Sequence, residues 1–470
     1  MIVSTPTKIV IALGALAALG LAHPIPVRAQ VGSRSGADSA RGAGALDTTG
    51  RDSLDALIRD LEARIAALER ANAAKPPGPS VIASRDGLAI SSADNAFSFR
   101  LRGYVQADAR FFGATGPVPP GASTFVLRRA RVIFEATAYR YFALRISPDL
   151  GGGQIVLMDA YVDARPTPAV ALRVGKFRPP IELERFQPAV DQRFVERGLP
   201  SSLAPSRDVG VQLFGEVARG RVQYQVAALD GAPDGANIDS DASTGKDIAA
   251  RVLVRPLVES LPSVDLAIGI AGSVGTEAGT TNAPALGSYK TAGQLALFRF
   301  RNDGTAANTV VADGRRTRVT PQGYLYAGRL GMLGEYIWTT HTVRRGGSTA
   351  ALTMQAWQLS GGWALTGDHE SFSGFAPSHP LDGSKSGGHG ALELVARYGV
   401  LAFDAGAFPT FADPATQPRR ARAAGAGLNW RLTRDVQLAT DYERTRLDGP
   451  DAATTRSTEH AVLTRLQLVF

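Results

Sequence analysis

The chain has 470 residues, with 51 Gly, 28 Pro, no Cys, 44% hydrophobic and 20% charged residues, a mean hydropathy of -0.04 and a formal net charge of +8. A helical membrane protein needs apolar runs of about 18 residues or more, and the one long run lies at the extreme N-terminus, so a polytopic helical transporter is excluded. What remains is a large soluble β protein, several domains, or a transmembrane barrel whose hydrophobicity is hidden by alternation.

The first segment carries Lys8, an apolar stretch from Ile9 to Leu21, a break at His23-Pro24 and a small-residue exit at Val27-Arg28-Ala29. This pattern predicts a secretory signal peptide over residues 1–29, with an apolar core too short to span a membrane comfortably; the alternative is an uncleaved anchor. The absence of Cys agrees with an oxidising compartment, a weak observation taken alone. Residues 30–50 are rich in Gly, Ala, Ser, Arg and Asp with almost no large apolar side chain, the composition of a flexible leader. Over residues 51–74, Leu54, Ile58, Leu61, Ile65 and Leu68 recur at heptad spacing, which predicts a short coiled-coil helix. About two heptads are marginal alone, so this helix needs partner helices or a docking surface. Lys75-Pro76-Pro77-Gly78-Pro79 ends it, and residues 75–83 read as a Pro-rich linker.

From residue 84 to Phe470 the period changes to two. Between Phe97 and Phe111 one face carries Phe97, Phe99, Leu101, Val105 and Phe111, and the other carries Arg100, Arg102, Tyr104, Gln106, Asp108 and Arg110. Soluble sandwich strands usually run to about five or six residues, whereas transmembrane strands need about 9 to 11. The alternation recurs: Ala130, Val132 and Phe134 oppose Arg129, Arg131 and Glu135; Leu144 and Ile146 oppose Arg145; Met158, Ala160 and Val162 oppose Asp159, Tyr161 and Asp163. Further on, Ile248, Ala250, Val252 and Val254 oppose Arg251 and Arg255, and Leu394, Ala396 and Tyr398 oppose Glu393 and Arg397. The expected fold is an all-β antiparallel transmembrane barrel of 16 strands, with 18 as the alternative, whose polar residues face a common interior. The last strand, through Val462, Leu466 and Leu468, ends on an aromatic residue, Phe470, an ending typical of outer-membrane barrels, where it serves as an assembly signal.

Nine basic and seven acidic residues fall in 1–83, which leaves 42 and 36 in the barrel, a net +6. Placement decides what that excess does, because interior charges act across low-dielectric walls that focus the field. Parity assigns Arg100, Arg102, Arg110, Arg129, Arg131, Arg145, Arg251, Arg255 and Arg397 to the lumen, with Arg173 a further candidate in a shorter strand. An arginine on the lipid face at the bilayer midplane costs about 2 to 4 kcal/mol. A row of guanidiniums suits oxyanion transit, since each is a planar fork that stays charged at any physiological pH. The competing role for these arginines is to pair with Asp108, Glu135, Asp159, Asp163 and Glu393 and brace the wall.

The barrel region resembles the phosphate-selective porin family, the porin O and porin P group. The resemblance rests on segments in order: Arg128-Arg129-Ala130-Arg131, Asp159-Ala160-Tyr161-Val162, and Arg173-Val174-Gly175-Lys176-Phe177-Arg178-Pro179-Pro180 followed by Glu182-Leu183-Glu184. It continues through Phe194-Val195-Glu196-Arg197, Arg207-Asp208-Val209-Gly210-Val211, Leu365-Thr366-Gly367-Asp368, Glu393-Leu394-Val395-Ala396-Arg397-Tyr398, Gly427-Leu428-Asn429-Trp430 and Leu466-Gln467-Leu468-Val469-Phe470. It implies a 16-stranded bacterial outer-membrane barrel, usually a homotrimer, surrounded by lipid and inserted by the barrel assembly machinery, with the N-terminal helix in the periplasm. Its implied function is passive diffusion of anions such as phosphate along arginines to a constriction where lysines contribute. The chain departs from that pattern in having six Lys, of which Lys176, Lys246, Lys290 and Lys385 lie in the barrel; the departure bears on phosphate preference.

No cofactor or metal is expected. His369, His379 and His389 match no compact ligand motif, and Gly151-Gly152-Gly153 lacks the downstream Gly-Lys-Ser/Thr of a phosphate loop and reads as a hairpin turn. No nucleophile, base and orienter triplet points to an enzyme. The basic composition would also suit nucleic acid, but export and interleaved acids argue for a pore. The competing function is a structural or adhesive barrel with a periplasmic tether and little conductance.

Overall fold

The computed structural model describes residues 56–67, 78–84, 86–115, 121–240, 245–381, 383, 387–449 and 458–470. The chain divides into two units, Met1–Lys75 and Pro76–Phe470. In the first, residues 56–67 are helical; Leu57, Ile58, Leu61 and Ile65 are exposed, and Asp60 pairs with Arg64 one turn on at 2.9 Å. The expected signal peptide and flexible leader, and the ends of the expected helix, lie outside the described residues.

The second unit opens with a hairpin, β1 (Ser80–Ser84) and β2 (Gly87–Ser91), which begins inside the stretch read from sequence as linker. There follow β3 (Ser98–Thr115), β4 (Thr124–Ala138), β5 (Phe142–Asp149), β6 (Val156–Thr167), β7 (Val170–Phe177), β8 (Asp208–Val217), β9 (Val222–Leu229), β10 (Asp247–Val254) and β11 (Val264–Ala278). Two short strands, β12 (Tyr289–Lys290) and β13 (Ala296–Phe298), pair within one loop. The wall resumes with β14 (Val311–Ala327), β15 (Leu330–Arg345), β16 (Ser348–Ala364), β17 (Ala391–Ala402), β18 (Arg420–Arg431), β19 (Val436–Asp448) and β20 (Thr458–Val469).

Every wall strand pairs antiparallel with its neighbours, and β20 returns to β3 from Thr458↔Thr115 to Val469↔Tyr104, which closes a 16-stranded barrel. Closure leaves no edge strand to template aggregation. Below Phe470, β2 takes over the same edge of β3 from Leu101 to Ser98, so the N-terminal hairpin prolongs the wall. The strands alternate as read: Phe99, Val105, Phe134, Ile248, Val252, Leu394, Leu466 and Leu468 are exposed on the outside, while Gln106, Asp108, Arg110, Arg129, Arg131, Arg251 and Arg397 are buried inside. The outside is the face that lipid must cover, where unpaired polar groups are costly.

Phe470 and most of the tight turns lie at one rim; most of the long loops lie at the other. The connection 178–207, between β7 and β8, does not stay outside. Wall side chains pin it within the lumen: Gln106, Gln322, Asn429 and Gln467 donate amide N–H to the carbonyls of Ala189, Ile181, Arg193 and Val190 at 2.8–3.0 Å. Glu335 and Asp441 accept the backbone N–H of Leu183 (2.8 Å) and Val195 (2.5 Å). Buried backbone must find partners, and here the polar barrel interior supplies them. From the turn rim, the connection between β16 and β17 also reaches inward, stacking Phe372 on Tyr324 at 4.8 Å between ring centroids.

One expectation needs correction: the interior is not uniformly polar. Ile337, Val343, Leu352, Met354 and Leu401 face inward from β15, β16 and β17, and pack with Phe298, Phe403 and Phe411 from the loops and Ile181, Leu199 and Leu203 from the inward loop. That half of the lumen is filled like a protein core because loops fold onto it and exclude water. Open space is found on the side of β3–β8.

Candidate functional site

Two β-bulges shape the open side. On β4, Gln106↔Arg129 is followed by Ala107↔Leu127, so Arg128 is an extra residue. On β6, Ser147↔Asp159 is followed by Pro148↔Leu157, so Met158 is extra. A bulge re-aims the side chain it inserts. Arg128 therefore joins its neighbour Arg129 at the lumen, where its Nε donates to Glu196 at 2.5 Å. Met158, which strict alternation placed outward, turns in against Asn237.

Both bulges open onto an upper chamber of about 380 Å³ between β4–β6, the inward loop and the loop that carries β12. Its lining holds Arg128, Arg129, Arg131, Arg178, Arg185, Arg197, Arg207 and Lys290 against two carboxylates, Asp149 and Glu196. A lower chamber of about 280 Å³ shares Arg131, Arg178 and Ala189 with the upper one and adds Arg102, Arg145 and Arg173, with Asp159 its one carboxylate. Nearer the turn rim, a third cavity of about 240 Å³ shares Arg145 and Tyr161 with the lower chamber and adds Arg100 and Arg165 beside Glu135 and Asp163. Guanidiniums thus run from the loop side to the turn rim along one side of the barrel.

Many of them are braced. Glu135 holds Arg102 at 2.8 Å and Arg145 at 2.7 Å; Asp149 holds Arg131 at 2.7 Å; Asp163 holds Arg173 at 2.7 Å, which also lies 3.8 Å over the Tyr161 ring. Asp159 takes Arg207 at 2.7 Å. Glu196 serves several cations at once: Arg110 at 2.9 Å, Arg128 at 2.5 Å, and Arg465 and Arg129 at 3.8 and 4.0 Å. Burial pushes the Glu196 carboxyl up, but Arg128 and Arg129 outweigh it and hold it well below the usual carboxylate range.

Arg178 and Arg197 differ from these. Among the described residues no carboxylate lies within 4.0 Å of either; Arg178 donates to the carbonyl of Phe186 at 3.1 Å and Arg197 to that of Gln187 at 3.3 Å. Burial and the neighbouring Arg207 work against the charge on Arg178, and burial and Arg185 push Arg197 down to about 10. Guanidiniums stay protonated at neutral pH, so these two are cations held at a cost that an entering anion relieves.

Of the sequence-derived candidates, Arg102, Arg129, Arg131, Arg145 and Arg173 line the two main chambers and Arg100 the third cavity. Arg110 faces the lumen but is locked between Asp108 and Glu196. Arg251, Arg255 and Arg397 stand elsewhere: Arg251 lies 4.4 Å over the Phe186 ring, Arg255 pairs with Asp265 at 2.9 Å, and Arg397 pairs with Glu443 at 2.6 Å. Sequence reasoning missed Arg178, Arg185, Arg197 and Arg207, which sit in or beside a loop with no period to assign them, and Arg128, whose bulge breaks the parity. The density of arginine between Arg178 and Arg207, with Pro179, Pro180, Pro188 and Pro200, was the available signal.

Other polar clusters stand behind the lining of these chambers, Glu182 pairing with Arg185 at 3.0 Å. Arg316 and Arg318 on β14 are fully buried with Asp234, Asp247 and His341, and through Asp234 and the carbonyls of Gly231 and Ala232 they hold the chain just after β9. Glu182 and Glu184 meet Glu335 of β15, their oxygens within 4.8 Å of one another, with Gln358 donating to Glu184 and Glu335. Of the three histidines singled out in the sequence, His379 and His389 stack at 5.7 Å in the connection between β16 and β17.

The family model of phosphate-selective porin O and P matches residues 99–470. No curated protein sequence matches the chain. Among solved structures, the outer membrane channel DcaP of Acinetobacter baumannii is similar at 11% identity and a TM-score of 0.49, covering 80% of this chain and 98% of its own. An anion-selective porin from Comamonas acidovorans is similar at 11% identity and a TM-score of 0.47, covering 80% and 100%. With a closed barrel of the expected strand number and a family match that runs from the first wall strand to the terminal phenylalanine, the chain belongs to the phosphate-selective porin O and P family.

Proposed function

We propose that this porin lets anions, phosphate or related oxyanions among them, diffuse passively across the bacterial outer membrane along the guanidiniums of β3–β7 and the inward loop. The observation that carries the reading is the upper chamber, where eight cationic side chains face two carboxylates. Conduction needs sites favourable enough to admit an ion and weak enough to release it. Successive chambers that share Arg131, Arg178 and Arg145 meet that need, because an anion can exchange one fork for the next without full rehydration. Lysine is not required for this, although Lys290 adds an ammonium at the upper chamber. The same reading places the loop rim outside the cell and the N-terminal helix in the periplasm, takes Phe470 as the assembly signal for the barrel machinery, and takes the homotrimer from family membership.

The test is the current through purified protein in a planar bilayer in chloride, with phosphate titrated into the bath. A steady chloride current that low phosphate reduces supports an oxyanion-binding pore. Current without block narrows the function to a general anion porin, and no current from correctly folded protein overturns it.

A further inference from the structure

The two main chambers differ in what lies opposite their arginines. The upper one is lined largely by charged and hydroxyl side chains, among them Ser201, Ser202 and Thr291. The lower one has an apolar wall: Tyr104 and Ile133 from β3 and β4, Ala189 and Val190 from the inward loop, and Val469 from β20. Neither Tyr104 nor Ile133 is demanded by the bilayer, since both point into the barrel and are 5% exposed. The patch packs with Ala189 and Val190 of the loop, whose carbonyls Gln106 and Gln467 also hold at 3.0 Å. A packed core leaves few voids larger than a water molecule, yet here the apolar wall borders about 280 Å³ of open space beside five guanidiniums.

We propose that the lower chamber is a subsite for organic anions, specifically carboxylates carried on a flat apolar body such as an aromatic ring. The carboxylate takes a guanidinium fork among Arg102, Arg131 and Arg178, and the ring lies against Ile133 and Val190. Small-molecule sites combine a mostly apolar lining with a few convergent polar groups, and this chamber has that make-up at a suitable size. A fully hydrated inorganic anion gains nothing from the apolar wall, whereas a ring gains by leaving water. The proposal rests on the anion path described above and names the substrate class that its second chamber favours.

The experiment compares benzoate with acetate as blockers of chloride current through the purified porin in a planar bilayer. Both carry one carboxylate, so the difference reports the ring. Benzoate is expected to half-block at a concentration about tenfold lower than acetate. Ile133→Asn and Val190→Asn, made separately so that a folding failure in one leaves the other, are expected to bring that ratio towards one. Half-blocking concentrations within about twofold of each other in the unaltered protein overturn the proposal. A ratio that survives in both variants also overturns it. The reversal potential in a chloride gradient separates the two readings: an anion preference with equal block removes only the organic-anion subsite, and no anion preference removes the path itself.

Discussion

Arg193, on the inward loop, lies 3.0 Å from Glu370, on the connection that enters from the turn rim. The same guanidinium pairs with Glu393 of β17 at 3.1 Å, so two carboxylates compete for one cation. The inward loop is thus tied to the opposite end of the barrel by an ion pair that is short of positive charge.

Burial, then repulsion from Glu393, push the Glu370 carboxyl up to about 7, against the pull of Arg193. The folded state therefore binds more protons than the unfolded chain between the ordinary glutamate range and about pH 7. Stability falls as pH rises through that window and is regained on acidification. Glu370→Gln, which mimics the protonated form, is expected to match the unaltered protein near pH 5 and to melt higher near pH 8. Thermal unfolding at the two pH values checks this, and a Gln variant that melts lower at pH 8 would show that the pair with Arg193 outweighs the repulsion.

Two arginines of this lumen are expected to do different work. Arg178 has no carboxylate partner and borders both main chambers, so Arg178→Gln removes a site from the path. Loss of a charge-assisted hydrogen bond is worth about 1.5 to 3 kcal/mol, so phosphate block should weaken by about tenfold or more, with little loss of stability. Arg318 is fixed by Asp234 at 2.6 Å, Asp247 at 2.9 Å and Ser273 at 3.0 Å, away from either chamber. Arg318→Gln leaves two buried carboxylates short of a partner, which is expected to cost about 3 to 5 kcal/mol of stability while phosphate block stays as it was. Denaturant unfolding and bilayer current on the two variants read both effects; equal loss of block would place Arg318 in the path.

What the amino-acid order reveals follows the physics that constrains it. Lipid covers the outside of every wall strand, so Phe99, Val105, Leu394 and Leu466 had to alternate with polar residues, and strand direction and face were readable from that period. The inside is constrained only by what folds into it. Ile337, Val343 and Met354 look like ordinary strand residues until the loops bring Phe298, Phe403 and Phe411 onto them. Arg251 and Arg397 share the parity of Arg131, yet stand away from the open chambers because the inward loop divides the lumen between them. Arg178 and Arg197, two cations with no carboxylate partner, lie where no period exists, and Arg128 owes its place to one extra residue in β4.

The seam of the barrel offers a further prediction. Gly103 of β3 exchanges two backbone hydrogen bonds with Phe470: its N–H donates to the Phe470 carbonyl at 2.7 Å and its carbonyl accepts the Phe470 N–H at 2.9 Å. A Cβ at residue 103 would lie 2.7 Å from the carbonyl oxygen of Arg131 and 2.8 Å from the Phe470 ring. The first neighbour is backbone of the adjacent strand and can yield only if β3 and β4 part; the second is a side chain at the end of the chain. Gly103→Ala is therefore expected to lower stability by about 1 to 3 kcal/mol, the usual cost of overpacking. Adding Phe470→Ala to it should recover part of that loss, because it frees the ring contact but not the Arg131 contact. The temperature at which each variant loses its compact form on a gel gives the order. If the double variant falls below Gly103→Ala by the full cost of Phe470→Ala alone, the two residues do not interact at the seam, and closure rests on the strand ladder.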